Sequence, residues 1–311
     1  MNLGQFSTKV TLRSLILIVN LCLLAGFSSV HAEPWKASEL LEHPLVGKLW
    51  SLETESWQEP DQWLQERPKA SWLLLGEQHD HPDHQRLAEI WLGHLAEQGR
   101  LGVLALEMLQ TPQQAALDAA WGQGVEDAAE LAWPEQGWDW AVYAELVQAG
   151  LLHSRRVLAI DLPRDQQLRA YREGAARPAL SESQAAALDE LLYEGHCQLL
   201  PRERLSQMRQ VQLARDQAMA MAMSQAAAHD GVNLLLAGSV HVRQDVGIPR
   251  WLPAEVEVVS VLLQQVVADK KEPEAYLPEP VDGLRAFDYI FFTPAIPPVD
   301  YCEALRGSGA D

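Results

Sequence analysis

Basic residues are scarce in this chain: 24 Lys and Arg stand against 43 Asp and Glu, for a formal net charge of −19. No run or helical stripe of Lys and Arg is present to line a phosphate backbone, so nucleic acid is excluded as a natural partner. Internal repeats and low-complexity tracts are absent as well. Cysteine occurs only three times in 311 residues, at 22, 197 and 302. What the chain does have is apolar content, 48% hydrophobic, enough to bury a sizeable core and to exclude a mainly disordered protein.

Residues 1–32 read as a targeting segment. Lys9 and Arg13 form a positive start, SLILIVNLCLLAGF an apolar stretch, and Val30-His31-Ala32 a cleavage-like end, which leaves 33–311 as one mature domain. Export to the periplasm is the expectation. The apolar stretch is short for a membrane span and is interrupted by Asn20. Cys22 follows Leu21 deep inside it, which does not suit a lipid anchor. Losing the leader removes Cys22, and Cys197 with Cys302 then form the economical disulfide of an oxidising compartment, two buried thiols being the alternative. A loop of about a hundred residues closed this way is worth about 4 to 5 kcal/mol in the chain-entropy picture.

Four continuous apolar runs, WLLL at 72–75, VLAL at 103–106, VLAI at 157–160 and NLLLA at 233–237, predict strands buried on both faces. Helix-period segments separate them, so the expected class is α/β: a mostly parallel central sheet flanked by helices. PDHQRLAEIWLGHLAEQG after the first run suits a helix opened by Pro82 and closed by Gly99. The chain between the third and fourth runs is too long for one crossover. Segments 164–173, 181–194 and 201–229 read as helices, giving a helical insertion over about 164–229. Met208, Met219, Met221 and Met223 in the last of these are expected in the core, with an apolar ligand pocket as the alternative. VEVVSVLLQQV and FDYIFFT predict two further strands, and five tryptophans from Trp35 to Trp72 predict an N-terminal segment packed on the body.

Polar residues follow each buried run: Glu77 and His79, then Glu107, then Asp161, then His241 and Arg243. In an open parallel sheet, ligands bind beyond the carboxyl ends of the strands, so these distant residues are expected to meet at one edge. Taken singly, each is an ordinary strand-end or cap residue. Together they suit a histidine base oriented by a carboxylate, or a divalent metal. The helical pair of a HExxH zinc site is missing, since Pro82 separates His79 from His84. His81 and His84 are expected as solvated first-turn residues, with Asp80 or Asp83 answering the helix dipole.

GEQHDHPDH, ALEM at 105–108, GWDWAVY at 137–143, AIDLPR at 159–164, EGHCQLLP at 194–201, QVQLARDQAMA at 210–220, GSVHVRQDVGIPRWL at 238–252 and DYIFFTPA at 288–295 occur in that order. Together these blocks, spread over nearly the whole mature chain, resemble the ChaN family of haem-binding uptake proteins. The wider superfamily includes Tiki, TraB and erythromycin-esterase-like proteins. The resemblance implies a protein of bacterial haem and iron acquisition that serves an uptake receptor or transporter. It also implies haem held by a tyrosine and assisted by a histidine of a second protomer, two haems lying face to face in a homodimer. Elsewhere in the superfamily the G-E-x-H block and a distant histidine, here His241, belong to hydrolytic or metal-dependent sites; a hydrolase using Glu77, His79, Glu107, His241 and Arg243 is the alternative function. The chain departs from the family in lacking the lipoprotein signal of some members and in carrying Asp161 where asparagine is expected. An iron-bound phenolate needs an apolar face for the porphyrin, which favours Tyr143, one turn from Trp140, and then Tyr193. His196, with His153 behind it, is the candidate histidine, and Arg164 or Arg243 the candidate partner of the propionates.

Overall fold

A computed structural model describes residues 35–69, 71–134, 137–175 and 180–307. The expected leader at 1–32 lies outside them. After a short antiparallel hairpin, β1 (Leu49–Ser51) and β2 (Ser56–Gln58), and a one-turn-and-a-half helix α1 (Pro60–Gln65), the chain alternates strand and helix. β3 (Trp72–Glu77), α2 (Pro82–Glu97), β4 (Leu101–Gln110), α3 (Gln114–Ala120), α4 (Trp140–His153) and β5 (Arg156–Asp161) come first. The insertion follows as α5 (Arg164–Glu173), α6 (Glu182–Gly195) and α7 (Leu205–Ala226). β6 (Val232–Gly238), β7 (Val258–Gln265), β8 (Tyr289–Thr293) and α8 (Tyr301–Gly307) are the remaining elements among the described residues.

All eight strands join one sheet in the order β2-β1-β8-β7-β3-β6-β4-β5. Only the β1 pairings are antiparallel; the other five run parallel. The apolar runs form the interior strands because both of their faces are covered. Alternate side chains project to opposite sides, so Leu73 and Leu75 pack with α2 and α4 residues such as Leu92, Leu95 and Val147. Trp72 and Leu74 point the other way, onto Met219, Ala220 and Met223 of α7. Gly150 lets α4 lie close on β4: a Cβ there would sit 2.3 Å from Leu104 Cδ2.

Strand order is the feature that places the polar residues. β6, last of the four apolar runs, enters between β3 and β4, and its carboxyl end therefore lies between theirs. The insertion stands beside those ends, with a small core of its own where Leu188 of α6 and Leu213 of α7 meet Val246. Met219 and Met223 are core residues as expected, whereas Met221 is exposed.

One expectation is corrected around α2 and another extended. His81 and His84 are fully buried rather than solvated, and their rings stack with centroids 4.0 Å apart. His81 Nε2 bonds the Pro294 carbonyl at 2.9 Å, His84 Nε2 the Thr293 hydroxyl at 3.2 Å, and His84 Nδ1 accepts from the Gln78 N–H at 2.9 Å. Asp83 does more than answer a dipole: its two oxygens accept the N–H groups of Lys36 and Ala37, each at 2.8 Å, and so fasten the N-terminal segment. Their burial follows from the last strand, whose end runs across the start of α2. Cys197, just past α6, is bonded to Cys302 of α8, with the two Cα atoms 5.4 Å apart.

Candidate functional site

The carboxyl ends of β3, β4, β5 and β6, together with side chains of α2, α4 and α7, build a polar cluster. Glu77 is the last residue of β3, and its carboxylate is buried. One oxygen meets His79 Nδ1 at 2.8 Å and accepts the Tyr143 hydroxyl at 2.8 Å, while the other accepts the Gln85 amide. Glu107 lies inside β4 rather than beyond it, at a register irregularity between Leu106 and Gln110. An irregular step of this kind re-aims a side chain out of the pleat. Glu107 accepts the Gly238 N–H at 2.6 Å and Arg215 Nη2 at 2.7 Å, and lies 3.2 Å from His241 Nε2. Asp161, the last residue of β5, receives Arg215 Nε at 2.8 Å and Nη2 at 3.0 Å. His241 Nδ1 sits 2.5 Å from Asp216 Oδ1.

The expected convergence of Glu77, His79, Glu107, Asp161 and His241 is therefore present in the fold. Arg243 is not part of it. Its guanidinium is paired with Asp245 at 2.9 and 2.5 Å and lies over the Phe287 ring. The turn after β6 points Arg243 away, and Arg215 of α7 fills the cationic role. Gln212, Arg215 and Asp216 fall on one face of α7 at helical spacing, and each touches the cluster. That spacing is visible in QVQLARDQ, but periodicity alone does not say which polar face of a helix turns inward.

Electrostatics divide the two histidines. Burial opposes a charge on His241, but Glu107 and Asp216 outweigh it and push its pKa up to about 9. With a carboxylate at each ring nitrogen, His241 is an imidazolium that donates to both, a charge clamp with no free nitrogen to act as a base. Burial disfavours the Glu107 anion, yet His241 and Arg215 hold it well below the usual carboxylate range. His79 differs. Burial lowers its pKa, the Glu77 bond and the Glu107 charge raise it more, and the net direction is up. Its side chain is 43% exposed, and the edge of Trp138 packs against it with ring centroids 4.6 Å apart. Gly238 makes room for that ring, since a Cβ would stand 2.9 Å from it. His79 is therefore the solvent-facing imidazole of this cluster, and His241 its buried one. Among the described residues no three His, Cys, Asp or Glu side chains are arranged to hold a metal ion.

Tyr143, first candidate for the iron ligand, belongs to this cluster instead. It is 1% exposed, and its hydroxyl donates to Glu77. Burial and then the Glu77 charge drive its pKa far above the ordinary phenol, opposite to what a phenolate ligand requires. The sequence placed Tyr143 on a helix face with Trp140 correctly; the face turns inward because Trp133 and Trp138 also pack on that ring. Tyr193 is half-buried near the end of α6, with the Arg202 guanidinium 4.0 Å from its ring centroid. His196 follows one turn later, half-buried, with Nδ1 on the Leu192 carbonyl at 2.7 Å. Arg164 opens α5 at the surface, and His153 closes α4 there.

A family model described as haem-binding uptake, Tiki superfamily, ChaN matches residues 63–252. Among solved structures, ChaN of Campylobacter jejuni with cofacially bound haem is similar at 25% identity and a TM-score of 0.63, over 78% of this chain and 95% of that one. An erythromycin esterase in its open conformation is similar at 12% identity and a TM-score of 0.47, over 82% of this chain and 99% of that one, too loosely to carry an argument. No curated protein matches the chain significantly.

Proposed function

Because the chain belongs to the ChaN family of haem-binding uptake proteins in the Tiki superfamily, we propose that it is an exported haem carrier of bacterial iron acquisition. The likeness to ChaN of Campylobacter jejuni carries this reading, because it extends over nearly all of that chain, in a protein that holds haem cofacially. In the proposal the iron is held by a tyrosine at a surface shared between two copies, and the helical insertion supplies that surface. Tyr193 is the assigned ligand, in place of the buried Tyr143. Its ring is half-buried at the end of α6 rather than enclosed, His196 stands one turn away, and Arg202 over the ring brings a cation that a propionate can pair with. Arg202 also pairs with exposed Glu190 at 3.2 Å, a contact that a haem carboxylate can replace. A periplasmic location, reached through the leader expected at 1–32, suits the family's task of handing haem to an uptake system.

Haemin titration followed by the visible spectrum and by molecular size tests the proposal. Wild type and Tyr143→Phe should bind saturably, show the charge-transfer band of a tyrosine-ligated ferric haem, and gain mass as a dimer. Tyr193→Phe should lose the band and most of the affinity. An unchanged band in Tyr193→Phe refutes the ligand, and absence of saturable binding by wild type refutes the function.

A further inference from the structure

The C-terminal helix is fastened at neighbouring residues to two different parts of the fold. Cys302 of α8 is bonded to Cys197, just beyond α6. Its neighbour Tyr301 donates its hydroxyl to Asp80 and accepts from Gln78 Nε2 at 3.3 Å. Those two residues flank His79, the solvent-facing member of the strand-end cluster. The other polar side-chain contacts of α8 are local: Asp300, just before it, accepts from the N–H groups of Cys302 and Glu303 and pairs with Arg306.

The Cys197 end takes an uncommon backbone turn. Cys197 and Gln198 both take left-handed backbone, with φ of 56° and 59°. Neither is glycine, so a Cβ crowds the backbone at two successive positions, and such a turn persists only where its surroundings hold it. The N–H groups of Cys197 and Gln198 donate to the Glu194 and Tyr193 carbonyls, each at 2.9 Å, and hold it from within, while the disulfide ties it to α8. Both cysteines are half-buried among exposed residues such as Glu194, Gln198 and Glu303, within reach of a reductant.

We propose that α8 is a redox-released strap on the loop that carries His79 at the strand-end cluster. While Cys197 and Cys302 are joined, Tyr301 holds the loop of Gln78, His79 and Asp80. A dithiol reductant opens the bond by thiolate exchange; it is oxidised to its own disulfide, and two electrons and two protons leave Cys197 and Cys302 as thiols. With its covalent anchor gone, α8 leaves the surface, and the His79 loop loses its outer tether. It keeps its inner ones, from Gln78 to His84 and from Gln85 to the His79 carbonyl. The loop therefore loosens without dissolving.

Hydrogen exchange of the full chain, read by mass spectrometry with and without a dithiol, tests this directly. Carbethoxylation of His79 is followed in parallel. On reduction, peptides covering α8 and residues 78–81 should both exchange several-fold faster, and His79 should be modified several-fold faster. Cys302→Ser should reproduce this without reductant. Tyr301→Phe, with the disulfide intact, should free the 78–81 loop while α8 stays protected. Faster exchange of α8 with an unchanged 78–81 loop and unchanged His79 would make the disulfide a plain staple and overturn the proposal. Unchanged α8 exchange with both thiols shown to be alkylated overturns it equally.

Discussion

Replacing His241 by glutamine should change how stability depends on pH, in a direction and by an amount that the cluster dictates. In the folded protein its pKa is about 9 against an ordinary 6.5, because buried Glu107 and Asp216 face its two nitrogens. A raised pKa means that the folded state holds its proton more tightly than the unfolded chain does. The stabilisation is complete below about pH 6.5 and is lost as the pH rises through about 9. The gap of about 2.5 units, at about 1.4 kcal/mol per unit, is worth about 3 kcal/mol. Urea denaturation at fixed ionic strength, with the disulfide intact, gives the stability of both proteins in steps from about pH 6 to about pH 10. The difference between wild type and His241→Gln should be level at the acid end and shrink by about 3 kcal/mol at the alkaline end. His79 titrates in both proteins and largely cancels, apart from its own coupling to the cluster. A difference that stays level throughout would mean that His241 is neutral when folded, and the charge clamp would be wrong.

Gly150→Ala should cost about 1 to 3 kcal/mol in the same assay, because its Cβ would press on Leu104 Cδ2 and α4 would have to shift off β4. Asp83→Ala strips the acceptor from the N–H groups of Lys36 and Ala37; about 1 to 3 kcal/mol should be lost, and both amides should exchange faster. His84 titrates in the opposite sense to His241. Burial, then the neighbouring His81, lowers its pKa well below 6.5, so the unfolded chain takes up a proton that the folded one refuses. Stability should decline as pH falls below 6.5, and His84→Gln should show a shallower acid limb, read from melting temperatures across that range.

The apolar runs were legible because continuous burial leaves a mark in any short window. WLLL and NLLLA sit within β3 and β6, where every residue is buried, and the insertion's first helix runs over Arg164–Glu173 as its period predicts. The edge at which Glu77, His79, Glu107, Asp161 and His241 meet was also legible, since all parallel strands end on the same side. Less legible was which polar residues would join them. Arg243 and Arg215 are alike in the sequence, yet one closes on Asp245 and the other on Glu107 and Asp161. Tyr143 and Tyr193 are both helical tyrosines, and the aromatic wall around the first separates a buried ring from a half-buried one. His81 and His84 look like surface residues until the end of β8 crosses them.

By itself, then, the sequence determined an α/β chain with buried parallel strands, a helical insertion, a polar strand-end cluster and the resemblance that brings haem. Tertiary structure alone decided that β6 lies between β3 and β4, that α7 turns Arg215 and Asp216 toward them, and that α8 ties Cys197 to the His79 loop. The reason is one of range. Periodicity and capping are local properties that a window of residues carries, whereas the partner of a charged group depends on which elements stand beside it. That neighbourhood is fixed by the packing of the entire core.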